Sequence, residues 1–295
     1  MTPQKRRTFL TTIGTLALGA AAGQRVAFGA PSRPGTGPAL TPNAQRRLAR
    51  TGVQLYTIRS EMTRDLPGTL ARVAEIGYKD VEFAGYFNRS PAEIRDLLAR
   101  NGLGSPSTHI GFGPLSGDAR QRTLDEAKAI GHEYVTVPSP PSGPRATLDD
   151  WKRIADSFNT AAAAAKSAGL RFAYHNHDAE LRPIGGITPL IVLLANTDPA
   201  LVDFEMDVYW VVRGGGDPFA YFSAFPNRFT MIHAKDAAGA EQTMVDVGAG
   251  SIDWKRIVAE GTKAGVKHVF VEHDRPTDPL GSIRNSYRYL STLEY

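Results

Sequence analysis

The sequence predicts a single (β/α)8 barrel, on three observations. Eight short apolar runs with strand character recur between residues 52 and 272. Stretches with helical spacing alternate with them. Five of those stretches stop at a glycine (Gly77, Gly102, Gly131, Gly169 and Gly265), the residue that turns left-handed past a helix without a Cβ penalty. Strands alternating with helices pair in parallel, and the length matches eight such units. A doubly wound open sheet usually has fewer strands and calls for a phosphate loop after the first of them. Gly214-Gly215-Gly216 follows a later strand and opens no nucleotide fold.

The elements read in order as follows. The run at 52–57 (Gly-Val-Gln-Leu-Tyr-Thr) leads to a helix from Leu66 to Ile76. The run at 79–84 (Lys-Asp-Val-Glu-Phe-Ala) precedes a helix with Ser90 as N-cap, Pro91 at its first position and Asn101 at its end. The run at 105–110 (Ser-Pro-Ser-Thr-His-Ile) precedes a helix from Arg120 to Ile130. After 133–137 (Glu-Tyr-Val-Thr-Val) comes a long helix from Leu148 to Ala168, with Asp149 and Asp150 suited to its positive end. Runs at 170–175, 201–207, 229–233 and 267–272 complete the eight, and a helix from Trp254 to Ala264 separates the last two.

In such a barrel the C-terminal strand ends converge on one mouth. Here they are Tyr56, Glu82, His109, Pro138, His175 with His177, Asp207, His233 and Glu272. Interior barrel layers are normally apolar, so ionisable groups at this density need a purpose. Asp207, His233 and Glu272 come from three consecutive strands. Mixed carboxylate and imidazole donors suit Mn²⁺, Zn²⁺, Co²⁺ or Fe²⁺. His175 and His177 share a face of an extended strand. Glu180 follows in the next loop, so either His175 or Glu180 can be the fourth ligand. Glu205 faces the same way as Asp207 and can orient a ligating imidazole or bind a sugar hydroxyl. Lys235, His109 and Trp210 are candidate substrate contacts, the last as a stacking ring. His132 and His268 read as structural.

The first thirty residues read as a separate leader. Lys5-Arg6-Arg7 precedes Phe9-Leu10 and a weakly apolar stretch to Ala22, the layout of an export signal of the twin-arginine type. That places the protein in the periplasm or beyond. Residues 31–49 read as a Pro- and Gly-rich linker, and 50–295 as the barrel domain. Of 34 basic and 30 acidic residues, Lys5, Arg6, Arg7 and Arg25 are in the leader and no acid is. The remainder is neutral, so charge gives no case for nucleic acid. The mature part has no expected membrane span. There is no cysteine, so the fold relies on its core without disulfides.

The pattern Tyr-His175-Asn176-His177-Asp178-x-Glu180, Phe-Glu205-x-Asp207-x-Tyr-Trp210, His233-x-Lys235-Asp236, Val-Gly248-x-Gly250-x-Ile-Asp253-Trp and Val-Glu272-x-Asp274-Arg275 resembles the sugar phosphate isomerase/epimerase group. These are xylose isomerase-like TIM barrels, related to the family-2 apurinic endonucleases. The resemblance covers residues 50–295 and is most specific in the second half. It implies one divalent ion (Mn²⁺, Co²⁺, Zn²⁺ or Mg²⁺) held by Glu, Asp, His and Glu, of which Asp207, His233 and Glu272 match three. Ketose 3-epimerases end the fifth strand in Glu, where this chain has His175. The His-x-His arrangement is more like inosose-dehydratase-like and keto-sugar-processing branches. The implied chemistry is proton abstraction α to the carbonyl of a sugar or keto-sugar, with the metal as Lewis acid and Glu272, Glu180 and His177 as the acid/base set. Return of the proton gives isomerisation or epimerisation; loss of a β-substituent gives elimination, which makes a keto-sugar or keto-glycoside lyase or dehydratase the alternative on the same scaffold. The other classes are an apurinic-site nuclease, disfavoured by the neutral charge, and a non-catalytic sugar-binding barrel.

Overall fold

The structure, a computed structural model, describes residues 46–295. The expected leader and residues 31–45 of the expected linker lie outside the described residues. The last linker residues adjoin the barrel domain: Arg46 and Tyr295 exchange backbone hydrogen bonds at 3.0 and 2.9 Å, and Leu48 packs against the core.

Eight parallel strands close a barrel: β1 (Gly52–Gln54), β2 (Asp80–Ala84), β3 (Gly104–His109), β4 (Tyr134–Val137), β5 (Arg171–His175), β6 (Val202–Asp207), β7 (Phe229–Ala234) and β10 (His268–Val271). Each forms where an apolar run was expected. A two-stranded antiparallel hairpin, β8 (Asp236–Ala238) and β9 (Thr243–Val245), follows β7 at the mouth. The first strand is shorter than expected. The Gln54 side chain accepts from the Tyr56 backbone N–H at 3.0 Å and turns the chain into a 3-10 helix, Leu55–Ile58. Tyr56 is therefore a rim residue, 43% exposed, and the strand ends at Gln54.

The α-helices among the described residues are α1 (Arg59–Arg64), α2 (Leu66–Ile76), α3 (Pro91–Asn101), α4 (Arg120–Ile130), α5 (Leu148–Ser167), α6 (Pro189–Asn196), α7 (Val208–Arg213), α8 (Pro218–Ala224), α9 (Trp254–Lys263) and α10 (Pro279–Thr292). Ser90 and Glu93 form a capping box on α3, and Thr147 and Asp150 form one on α5. The α5 face of Trp151, Ile154, Ala155, Phe158, Ala161, Ala162 and Ala165 is buried. Phe158 meets Phe172 and Tyr174 of β5 at ring distances of 5.4 and 4.8 Å, so Tyr174 points out of the barrel towards α5. Among the described residues no helix is long and apolar enough to cross a membrane.

Inside the barrel, Tyr134, Ala173, Met231 and Phe270 form a small apolar layer. Side chains two residues apart share a face of a strand. The next inward positions on those four strands are Thr136, His175, His233 and Glu272. The apolar layer thus floors the mouth, and strand periodicity alone aims the polar groups above it.

His132 lies outside this interior. Its Nδ1–H donates to the Ser105 carbonyl at 2.7 Å, and its ring stacks on Tyr86. Burial pushes its pKa down to about 4, whereas an unfolded histidine titrates near ~6.5. As pH falls through that window the unfolded chain takes up a proton that the folded chain refuses. Stability present above pH ~6.5 should therefore decline by up to roughly 3 kcal/mol towards pH ~4. Denaturant titrations of the wild type and His132→Gln at both ends of the window test this. The variant should lose less stability, and equal losses would place the acid sensitivity elsewhere.

Candidate metal centre

One carboxylate oxygen organises the mouth. Oε2 of Glu205, on β6, lies 2.8 Å from His109 Nε2, 3.0 Å from His175 Nδ1 and 3.1 Å from His233 Nε2. His233 Nε2 is also 2.6 Å from Oε2 of Glu82, which takes a further hydrogen bond from Gln54 Nε2 at 2.8 Å. Ser107 donates to the other Glu82 oxygen and meets Thr136 Oγ1 at 2.8 Å. Seven strands are tied together here, through contacts that span up to 151 residues of sequence, with Glu82, Glu205 and His233 fully buried.

Burial alone would raise the Glu205 carboxyl. The His233 charge and the three imidazole hydrogen bonds outweigh it and hold Glu205 well below the ordinary range. Burial and the adjacent Glu205 charge raise Glu82. Burial opposes protonation of His233, but Glu205, Glu272 and Glu82 around it raise its pKa well above the usual value. His175 has the opposite fate. Burial and the neighbouring His233 charge lower it well below the usual value, so its ring is neutral.

These contacts fix which ring nitrogens remain available. With Nδ1–H of His175 given to Glu205 and Nε2 of His233 held by Glu82 and Glu205, the other two nitrogens turn towards buried carboxylates. His175 Nε2 lies 3.6 Å from Asp207 Oδ2, and His233 Nδ1 lies 2.7 Å from Glu272 Oε2. Two imidazole nitrogens thus face two carboxylate oxygens, an arrangement that needs a proton or a cation between them. Asp207, His233 and Glu272 bring one donor atom each within 4.8 Å of one another. His109, His175, Glu205 and His233 also cluster that closely, but there each imidazole is already in hydrogen-bond contact with the same oxygen. The donor set of Asp207, His233 and Glu272, with His175 beside it, fits a divalent cation.

Lys235 supplies positive charge beside that set. Its ammonium is 2.9 Å from Asp207 Oδ2, 2.7 Å from Glu272 Oε2 and 2.7 Å from Asp274 Oδ1. Burial disfavours its charge, but those three carboxylates hold its pKa well above the ordinary range. The same lysine and His233 hold Glu272 low against its own burial. Burial lifts Asp207 to about 6, opposed by Lys235 and His233. Asp207 Oδ1 accepts from the Trp210 backbone N–H at 3.0 Å, and Asn176 Oδ1 accepts from the Asp207 N–H at 3.1 Å, which fixes the end of β6. Asp236, next to Lys235, accepts from the N–H groups of Ala237, Gly248 and Ile252 and from the Trp254 indole, at 2.8 to 3.1 Å. It latches the segment after the hairpin onto the barrel.

A cavity of about 420 Å³ opens above, lined among others by His109, His175, His177, Lys235, Glu272 and Asp274. Asp207, His233 and Glu205 lie beneath it, fully buried, so Glu205 supports imidazoles from below and does not line the cavity. Trp210 stands behind His177, ring to ring at 5.8 Å. Glu180 is not brought to this cluster. Its carboxylate takes the Tyr174 hydroxyl at 2.5 Å and the His177 N–H at 2.9 Å. Tyr174 points out of the barrel, and Glu180 goes with it. Glu82 stood out in the sequence only as one strand end among eight, and Gln54, Ser107, Asn176 and Asp274 carried no assigned role. Asp274, two residues past Glu272, carried the one usable signal.

Glu205→Gln keeps the shape and removes the charge that fixes three imidazoles. It should weaken divalent-metal affinity about 10- to 100-fold, read by competition with a chromophoric chelator. Unchanged affinity would show that the tautomers are set without Glu205.

Residues 70–293 match the sequence profile of the xylose isomerase-like TIM barrel family. An inosose dehydratase of Bacillus anthracis is 30% identical over 113 residues, 38% of this chain and 36% of that enzyme. The chain therefore spans little more than a third of the length of the curated relatives it matches. A solved sugar phosphate isomerase/epimerase from Parabacteroides distasonis superposes with a TM-score of 0.73 at 25% identity, over 88% of this chain and 99% of that one. The IOLI protein, solved with a zinc atom, shares the fold at a TM-score of 0.64 and 14% identity, over 81% of this chain and 96% of that one. On the profile match and the closed eight-stranded parallel barrel, the chain belongs to the xylose isomerase-like TIM barrel family.

Proposed function

We propose that the protein is a divalent-metal-dependent enzyme that moves a proton on the carbon next to a sugar or keto-sugar carbonyl, giving isomerisation or epimerisation. The observation that carries this reading is the pair of imidazole nitrogens, His175 Nε2 and His233 Nδ1, turned towards the oxygens of Asp207 and Glu272 at the floor of a sugar-sized cavity. These four side chains would hold the metal, with His175 taking the role that the ketose 3-epimerases give to a glutamate. When bound, such an ion supplies Lewis-acid polarisation of a carbonyl oxygen.

The remaining chemistry belongs to the chain. His177 lines the cavity, and its ring makes no hydrogen bond to other described residues. Burial, then the Lys235 charge, lowers its pKa, so it is a neutral imidazole at pH 7, able to accept a proton from a substrate carbon or hydroxyl. Lys235 points an ammonium into the same space and stabilises negative charge on a substrate oxygen. His109 is anchored to Glu205 from the opposite wall and contacts a hydroxyl. Glu180 is a positioning residue that fixes the turn carrying His177. Elimination is the second reading, favoured by the partial match to an inosose dehydratase.

Asp207→Ala and His233→Ala should lose bound metal while keeping the fold, measured by metal analysis and circular dichroism. His175→Ala should do the same and Glu180→Ala should not. Metal retained by His175→Ala and lost by Glu180→Ala would reverse the assignment.

The reaction is tested by NMR of a panel of keto-sugars in D₂O with the metal-loaded protein. Deuterium should enter at the carbon α to the carbonyl, and His177→Gln should slow its entry at least tenfold. A panel without exchange, epimerisation or elimination would leave a sugar-binding barrel as the better account.

A further inference from the structure

A second cavity, about 590 Å³, adjoins the mouth. The two share Ser139 and His177 in their linings, so they meet at these residues. Each falls in the range of about 300–1,000 Å³ typical of small-molecule sites. The second is walled by Pro140, Trp151, Ile184 and Pro189, with Arg145 and Arg182 on its lining.

Its walls are braced. The Trp151 indole donates to the Arg145 carbonyl at 3.2 Å, and the Thr147–Asp150 capping box fixes the same loop onto α5. Ile184 and Ile187 exchange backbone hydrogen bonds at 2.9 and 3.1 Å on the other side. Glu180, 1% exposed, ties the turn beneath to Tyr174 and to the His177 N–H. The charges are unequally used. Arg182 is paired with Asp178 at 2.7 Å, whereas Arg145 forms no ion pair among the described residues. The cavity therefore offers apolar walls and one guanidinium without an ionic partner, the combination that suits the apolar face and hydroxyl oxygens of a sugar ring.

We propose that this cavity is a second substrate subsite, so that the natural ligand is a two-ring glycoside or disaccharide with its joining oxygen above His177. The inference builds on the sugar-processing reading of the mouth and adds the size of the substrate to it. His177 is suited to the junction because its ring nitrogens have no protein hydrogen bond and its ring is held between those of His175 and Trp210, at 4.9 and 5.8 Å. A ligand confined to the mouth would leave the larger of the two cavities empty.

Binding is measured by isothermal titration of the metal-loaded full chain with cellobiose, maltose, lactose, sucrose and trehalose, each beside its component monosaccharides. At least one disaccharide should bind tenfold or more tightly than its components. Ala179 lines the second cavity and not the first, so Ala179→Trp, which puts an indole there, should abolish that gain and leave monosaccharide and metal affinities within twofold. Arg145→Ala should reduce the gain at least threefold and gives the same reading if Ala179→Trp fails to fold. No disaccharide preference in the wild type, or a preference that survives Ala179→Trp or Arg145→Ala in folded protein, would overturn the proposal. Failure of the sugar-processing reading shows separately, as absent deuterium exchange.

Discussion

Burying several carboxylates at the end of a barrel is tolerable only if cations or hydrogen-bond donors meet them there. In this protein that condition is met at one atom, Glu205 Oε2, on which three imidazoles converge. Removing one member of a buried ionic set typically costs about 3–5 kcal/mol, because the partners stay buried without compensation. The mouth is therefore closed as a unit. The strands that carry Glu82, His109, His175, Glu205 and His233 are held in register by the same groups that aim the outer nitrogens at Asp207 and Glu272.

His233 shows the division of labour. Its Nε2 side faces Glu82 and Glu205 and belongs to the fold. Its Nδ1 side faces Glu272 and belongs to the chemistry. The ring stands two residues above Met231 in the apolar layer and two below Lys235, so one strand and the residue that follows it supply floor, imidazole and ammonium in sequence. Pleat and alternation make that possible without special backbone geometry at these positions.

Much of this was legible in the chain. The eight runs and the glycine stops determine the barrel, and alternation puts His175, Asp207, His233 and Glu272 at one end of it. What remained open depended on contacts between distant residues. Glu82 meets His233 across 151 positions of sequence, which no local pattern encodes. The choice between His175 and Glu180 turned on a loop after the fifth strand. Its course follows from the outward Tyr174 hydroxyl, a tertiary contact invisible to periodicity. The early end of β1 came from a side-chain turn at Gln54 inside an otherwise convincing apolar run. Helix α6, apolar on nearly every side, carried no amphipathic stripe by which to place it.

The Asp236 carboxylate, fully buried beneath four donors, has a consequence for traffic at the mouth. Lifting the segment from Gly248 to Trp254 would leave that charge with the Ala237 N–H alone, so opening the entrance on this flank carries the cost of a buried carboxylate short of three donors. The flank with Ser139, Pro140 and Arg145 is held by neutral bonds, the Trp151 indole to the Arg145 carbonyl among them, and buries no such charge. The electrostatic cost of opening the entrance therefore falls on the Asp236 side.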